Sequence, residues 1–520
     1  MEDYSKHVAG SAIGRLLLRA DPISIFLALV IFLVARFLWN RYSSPLRSIP
    51  GPFLASGTRL WKFWATITQH QETEYIKLHA KYDVRLKCLQ GPIVRTSPNS
   101  ISVSSPYAAR EILSAGKGFH KTDFYAVFPP PENPDIFTEI REHEHARKKR
   151  AAAVPYSMAT MQQMTPCIEN TIDLLMQKVR SFAEGSREVA LDIWLHYFAF
   201  DVLGEVAFSR RFGFLDTGKD VEGCISAINV NQQYNAAVGQ IPQLNALLRH
   251  NPIWKLCQVL VKSAQPLITR LALDELRKRK TGEVNTERKD LLGQLLRAHE
   301  ATPEKFSEGD VFAVAHGAIF AGSDSTASTM QSLLHHVLRE PHIYRRILAE
   351  IDDAVKAGRL SDVVQYNEAL QLPYFQAALK EAMRMRPAVG VAMARQVPPA
   401  GAEIDGKWYP GGTAIDVHAW VLHRDRGIFG DDAEVFRPER WLEDAERAKL
   451  MDRHMFQFGG GAHICIGRNL ALLEMNKVLP MLLRDFKMEL IHPERELDFR
   501  TYFFVVQSGL DVRISPRTVV

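Results

Sequence analysis

The sequence predicts a mainly α fold with a small β region, carried behind one N-terminal transmembrane helix. Three observations lead there. Residues Pro22 to Trp39 enclose the unbroken apolar run Ile25 to Ala35. Helical periodicity fills the stretch from about 160 to 300 and returns in one long pattern from about Glu308 to Glu340. Alternation of the β type is confined to short pieces, the clearest being Val94, Thr96, Ile101 and Val103. With 520 residues, 46% hydrophobic and 24% charged, the chain has an ordinary globular composition and the length of one large domain or two smaller ones. The balance of 64 Lys and Arg against 59 Asp and Glu leaves a net charge of only +5. That gives no reason to invoke nucleic acid, although a mildly basic face could receive an acidic protein partner. Five cysteines, at 88, 167, 224, 257 and 465, are odd in number and include no Cys-x-x-Cys pair. They argue against a disulfide framework or a zinc site and for a reducing compartment.

The chain opens with a segment, 1–21, that mixes Lys6, Arg15 and Arg19 with Glu2, Asp3 and Asp21. The apolar helix, 22–39, would span roughly 27 Å at about 1.5 Å per residue, the short end of what crosses a bilayer core, with Arg36 snorkelling. A cleaved signal peptide is the alternative, but an arginine and no small-residue cleavage pattern follow the run, which favours an anchor. Arg36, Arg41, Arg47, Arg59 and Lys62 all precede the first acidic residue on that side, Glu72. The positive-inside tendency therefore puts the main body in the cytosol and the N-terminal segment in the lumen. Residues 40–59 hold Pro45-Leu-Arg-Ser-Ile-Pro-Gly-Pro52, whose prolines push the backbone toward extended conformations and make a stiff linker. No second linker, internal repeat or low-complexity tract follows, and 60–520 reads as one domain.

Within that domain Ile93 to Val103 predicts short strands. A breaker-rich loop from Phe119 to Phe137 carries Phe124, Tyr125, Phe128 and a triple proline at 129–131, which suits either a ligand-covering loop or one packed on the core. Arg141 to Arg150 predicts a helix with His145 and Lys149 on one face, and a solvated basic face is the plain reading of such a run. Further helices follow, broken at Gly185, Gly213 and Asn251-Pro252. The long helix starts behind Ser307 as N-cap, with Asp310 at the capping-box position, and stops before Pro341. Inside it, Ala321-Gly-Ser-Asp-Ser-Thr326 sets an acid and hydroxyls in an apolar run that ought to be buried; hydroxyls bonded back to the preceding turn would make a satisfied polar kink. Glu381 and Arg384 form a helical pair ahead of Phe436-Arg-Pro-Glu-Arg-Trp441, and Ala394-Arg395-Gln396 opens a strand. Finally, Phe458-Gly-Gly-Gly-Ala-His-Ile-Cys-Ile-Gly467 places Cys465 in a glycine-rich turn ahead of a helix from Leu470 to Leu483, where backbone N–H groups could bond a thiolate. A lone cysteine is more often an inert small hydrophobe, so the context has to decide.

The spacing Phe458-x-x-Gly461-x-His463-x-Cys465-x-Gly467 resembles the haem-binding loop of the cytochrome P-450 family, the haem-thiolate monooxygenases. The resemblance implies the cytochrome P-450 fold and haem b with Cys465 as the axial thiolate on iron, shaped by Phe458, Gly461 and Gly467. His463 stands where the family usually has the arginine that meets a haem propionate; a histidine can donate the same bond, with a charge that depends on pH. His145 and Lys149 stand for the family's Trp-x-x-x-Arg pair on the propionates, with Arg150 a rival for Lys149, and Arg395 matches another propionate position. Ala321 to Thr326 is similar to the oxygen-binding motif: Ala321 and Gly322 leave room above the iron, and Asp324 and Ser325, with Thr326 beside them, supply the acid–alcohol pair, where the family more often has threonine for Ser325. Glu381, Arg384 and Arg440 match a structural Glu-Arg-Arg triad. Ile228 to Ile241 would roof the pocket, Ala388 to Met393 would line it and the turn from Phe503 to Val506 would close it.

Taken together, the resemblance implies a microsomal, fungal-type monooxygenase in the endoplasmic reticulum membrane. It would use dioxygen and NADPH electrons from NADPH-cytochrome P-450 reductase, with cytochrome b5 a second candidate donor, since the chain holds no reductase sequence. Its substrate would be a small, largely apolar molecule of specialised metabolism or a plant compound to be detoxified. A reductase-independent haem-thiolate isomerase or dehydratase and a non-catalytic haem scaffold are the rival classes. The Asp324–Ser325 pair, for which such roles have no use, weighs against both.

Overall fold

A computed structural model describes residues 21–86, 93–128, 133–249, 267–283 and 290–517; the segment 1–20 and the triple proline at 129–131 lie outside the described residues. Helix α1, Pro22–Tyr42, begins where the Asp21 side chain accepts from the Ser24 N–H at 2.9 Å and runs three residues past the apolar pattern. Its 21 residues give about 31 Å, so it is long and apolar enough to cross a membrane, and none of its residues is buried. The helix end is tied to the body. Phe37 packs on Phe53 at 5.1 Å, Asn40 donates to the Gly57 carbonyl at 3.0 Å, and Arg41 donates to Ser56 Oγ at 2.6 Å. The proline-rich stretch is likewise docked: Leu46 and Ile49 are buried, and a Cβ on Gly51 would lie 2.3 Å from the Arg95 carbonyl oxygen.

The β region is one five-stranded sheet and smaller satellites. Strands β1 (Ile93–Ser97), β2 (Ser100–Val103), β3 (His120–Lys121), β4 (Met393–Gln396) and β5 (Ala414–Val417) lie in the order β1-β2-β5-β4-β3. Only β2 and β5 are parallel. The register between β3 and β4 sets Lys121 opposite Arg395, which brings two cations from distant parts of the chain to one edge.

Around the sheet lie helices, of which six position the candidate site: α2 (Glu142–Ala153), α3 (Leu191–Phe208), α4 (Cys224–Gly239), α5 (Glu308–Arg339), α6 (Pro373–Met385) and α7 (Arg468–Asp485). Helix α3 is apolar nearly all round and is buried accordingly. Helix α5, 32 residues, starts with the expected reciprocal cap: Asp310 N donates to Ser307 Oγ at 3.2 Å and Ser307 N to Asp310 Oδ2 at 2.9 Å.

The run Arg141 to Arg150 is only partly the solvated face that its composition suggests. Lys148 is 2% exposed, with its ammonium 3.2 Å from Glu139 and 3.5 Å from Asp310, and Arg147 donates to Asp310 at 2.9 Å. These pairs dock α2 on the start of α5. Burial opposes ionisation of Glu139, but hydrogen bonds from Arg141 and Lys148 outweigh it and bring the carboxyl down to about 2. A depressed carboxyl stabilises the fold above its unfolded value, near 4.5, and the contribution is lost as pH falls toward the folded value. Glu139→Gln is therefore expected to lose about 3 kcal/mol in urea unfolding at pH 7 and less than half of that at pH 3. A gap that does not shrink in acid would contradict this reading.

Candidate active site

The Cys465 loop is shaped by glycines with different tasks. Gly459 (φ +73°) and Gly461 (φ +56°) hold left-handed backbone, whereas Gly460 is extended; a Cβ on Gly461 would also lie 1.8 Å from the Leu113 carbonyl oxygen. Gly467 has φ −80°, open to any residue, and its place beside the sulfur is what matters, since a Cβ there would sit 3.9 Å from Sγ. Cys465 N donates to the Phe458 carbonyl at 2.8 Å, closing the turn. Burial raises the thiol's pKa, and N–H groups of Gly467 and Arg468, together with the Lys149 charge, pull against it. Cys224, by contrast, is pushed up to about 12 by burial and by the anions Asp220, Asp324 and Glu222. Of these two thiols only Cys465 has N–H groups and a cation working against the effect of burial.

Cys465 is an exposed residue even though the protein around its thiol is dense enough to raise its pKa. Helix α5 shows the same feature in mid-course: Ala321 is exposed between the fully buried Ile319 and Ser323. Ser325 shares the Ala321 face one turn on, and its hydroxyl donates back to the Ala321 carbonyl at 2.7 Å; Thr326, on the next face, is buried. Asp324 is held by other helices: its Oδ1 lies 2.6 Å from His196 Nε2 of α3, and its Oδ2 accepts from Gln232 of α4 at 2.5 Å. Gln232 in turn accepts from Phe504 N at 3.1 Å.

Basic groups from four elements converge beside the loop. Lys149 on α2 donates to the carbonyls of Ala462 and Ile464, at 2.7 and 2.6 Å, on either side of His463, while the Nε of Arg150 donates to Ala146 of its own helix. The His145 ring lies against the His463 ring with centroids 4.3 Å apart, and His463 Nε2 is 3.2 Å from Glu142. Burial, followed by Lys121, His463 and Lys149, drives His145 down to about 3, so its ring is neutral. Burial also lowers His463, against the pull of Glu142. Lys121 is brought down to about 7 by burial and by Arg395, although three carbonyls, of Ile136, Phe137 and Glu139, accept from its ammonium. Arg395 donates to Tyr125 OH at 2.6 Å; its Nε and the Nδ1 of His463 are buried with no partner among the described residues. Cations thus outnumber the Glu142 carboxylate in this cluster, and two buried polar atoms, the Arg395 Nε donor and His463 Nδ1, have no partner among the described residues.

A greasy compartment adjoins this cluster. Phe128 and Phe137 of the loop pack edge-on with Phe503, Phe124 and Tyr125 pack edge-on with those loop rings and each other, the ring pairs 5.2–5.5 Å apart, and Ala236 of α4, Val391 and Met393 belong to the same cluster. The expected wall and turn do meet, through a bridge between Val389 and Phe504. Val505–Ser508 is a strand, so only the start of the expected closing turn is a turn.

A family model for cytochrome P-450 matches residues 55–511. The chain belongs to the cytochrome P-450 family. This cytochrome P-450 is 34% identical to the cytochrome P-450 monooxygenase cicH of Emericella nidulans, over 96% of the chain and 99% of that protein. It is 32% identical to the monooxygenase gsfF of Penicillium aethiopicum, over 94% and 96%, and 29% identical to a pisatin demethylase of Fusarium vanettenii, over 94% and 93%. It is an oxidoreductase of the monooxygenase class, and the expected cytochrome P-450 fold is the one it adopts. Membership implies haem iron held by a cysteine thiolate. The residues present fit such a group: an exposed cysteine whose thiolate is favoured by the Gly467 and Arg468 N–H groups and by Lys149, an exposed Ala321 in the middle of a buried helix, and a cluster of cations in which the Arg395 Nε donor has no partner among the described residues.

Lys121, Gln232 and His196 join the site without having been expected there. Lys121 carries no motif and arrives through strand register. His196 did leave a trace, as a lone imidazole in the apolar run Leu191 to Phe208.

Proposed function

We propose that the chain is a membrane-anchored monooxygenase that inserts one atom of dioxygen into a small, largely apolar substrate, with NADPH electrons delivered by a separate reductase. The observation that carries this reading is the Cys465 loop, an exposed cysteine in a left-handed glycine turn with the N–H groups of Gly467 and Arg468 and the Lys149 charge favouring its thiolate. Cys465 would ligate haem iron, and Lys149, His463, His145, Arg395 and Lys121 would face its propionates. When bound, haem supplies the iron at which dioxygen is activated with two electrons and two protons. The chain's own residues do the rest. Gly467 and Arg468 N–H groups moderate the thiolate's charge. Asp324 would take a proton at its carboxylate and hand it on, the Ser325 hydroxyl can release the Ala321 carbonyl to pass that proton inward, and the aromatic cluster excludes water and orients the substrate.

Helix α1 would anchor the enzyme in the endoplasmic reticulum membrane, with residues 1–21 lumenal, 40–59 a linker and 60–520 the cytosolic catalytic domain. The run of basic residues after Ala35 supports that orientation. Specialised metabolism in a fungus is the first reading of its role. Detoxification of a plant compound is the second, favoured by the likeness to a pisatin demethylase. The test is incubation with reductase, NADPH and labelled dioxygen over a panel of terpenoids, polyketides and phenolics. A product carrying one labelled oxygen is expected; conversion that needs no NADPH would indicate an isomerase or dehydratase instead. Ser325→Ala is expected to keep the haem and to lower product per NADPH severalfold, the missing electrons appearing as peroxide. Unchanged coupling would remove Ser325 from the relay.

A further inference from the structure

Asp324 cannot draw protons from solvent directly, because its side chain is fully buried. Its two oxygens are held by partners of different chemistry. Gln232 is fixed at both ends, since its carbonyl accepts from Phe504 N and its amide must therefore point at Asp324 Oδ2. An amide so placed orients the carboxylate and does not exchange protons at neutral pH. The other partner, His196, is an imidazole, whose ring nitrogens can both donate and accept a proton. Its side chain is 13% exposed and lies one turn from Ile193, 46% exposed, on the face by which α3 reaches the surface. The remaining titratable group facing Asp324 from α4, Cys224, is a buried thiol pushed up to about 12, with Asp220 and Glu222 beyond it.

Resting on the monooxygenase reading above, we infer that His196 is the positioning residue of Asp324 and the side chain that takes up from solvent the protons Asp324 passes inward. In the step, the Nε2–H bond of the imidazolium breaks and an O–H bond forms on Asp324 Oδ1, leaving a neutral ring and a carboxylic acid. When the acid has passed its proton to Ser325 and is a carboxylate again, a hydronium ion from bulk solvent reprotonates the ring and is left as water. No electron moves, and each cycle carries one proton from bulk water to the carboxylate. Two cycles meet the need of one turnover.

His196→Gln keeps a hydrogen bond to Asp324 but cannot carry a proton. It is expected to retain the carbon-monoxide spectrum and unfolding midpoint of the wild type, while turnover falls about tenfold and the solvent deuterium effect on turnover grows. Unfolding midpoints of His196→Ala, Asp324→Asn and the double variant supply a readout independent of turnover: the double variant should unfold no lower than the weaker single one, as for two members of one pair. Wild-type turnover and deuterium effect in His196→Gln would overturn the inference. So would a loss of turnover with an unchanged deuterium effect, which marks a purely structural role, or additive midpoints. Absence of a thiolate-type spectrum in the wild type would instead count against the monooxygenase reading.

Discussion

Glu381→Ala is expected to yield a chain that neither binds haem nor reaches a stable fold. The Glu381 carboxylate is fully buried and accepts from Arg384 Nε and Nη2, both at 2.8 Å, from Arg440 Nε at 2.9 Å, from Trp441 Nε1 at 2.9 Å and from Arg437 N at 3.0 Å. Burial opposes its ionisation, but Arg384 and Arg440 outweigh burial and hold it below its ordinary value. Removing the carboxylate leaves Arg384 in the core without an anion and Arg440 with Asp432 alone, at 2.8 Å, at a cost of about 3–5 kcal/mol against a total stability of only about 5–15 kcal/mol. The damage would reach the Cys465 loop through a continuous path. Arg384 Nη1 donates to the carbonyls of His423 and Ala433, the His423 ring bonds the Arg384 carbonyl through Nδ1, and its Nε2 accepts from Phe456 N at 2.7 Å. Burial keeps that ring neutral, near 3, which the acceptor role of Nε2 requires. Urea unfolding and haem content of Glu381→Ala are the measurements; a wild-type midpoint would refute the triad's role.

Gly461→Ala is expected to abolish haem incorporation while leaving the body folded. A Cβ at φ +56° is strained by about 1–2 kcal/mol, and the 1.8 Å approach to the Leu113 carbonyl oxygen obliges loop or helix to move. Gly467→Ala is the contrast: ordinary backbone and a 3.9 Å contact with Sγ predict a folded protein that still takes up haem. Equal haem occupancy in both variants, read from the absorbance ratio of haem to protein, would show that the loop does not depend on its left-handed turn.

The parts of this architecture that were legible in sequence are those written locally. Ser307 and Asp310 announced the start of α5 because a capping box lies within one turn. Glu381 and Arg384 are three residues apart, so their pairing needed only helical geometry, and Arg440 followed from motif order. What remained hidden depends on contacts between distant segments. Lys121 meets Arg395 through strand register. Asp324 reads as the partner of Ser325 in sequence, yet in the fold it bonds His196 and Gln232, 128 and 92 positions away, while Ser325 bonds its own helix. Lys148 looked solvated because nothing nearby in sequence shows that Asp310 lies across from it. The equivalence suggested by three consecutive glycines also fails in detail, since only Gly459 and Gly461 use the left-handed region.

The central claim is that Cys465 is the thiolate ligand of haem iron, and the carbon-monoxide difference spectrum of the reduced, membrane-expressed protein tests it most directly. The account predicts a red-shifted, thiolate-type Soret band in the wild type and its loss in Cys465→Ser. Haem bound without that band in the wild type, or the band intact in Cys465→Ser, would contradict it.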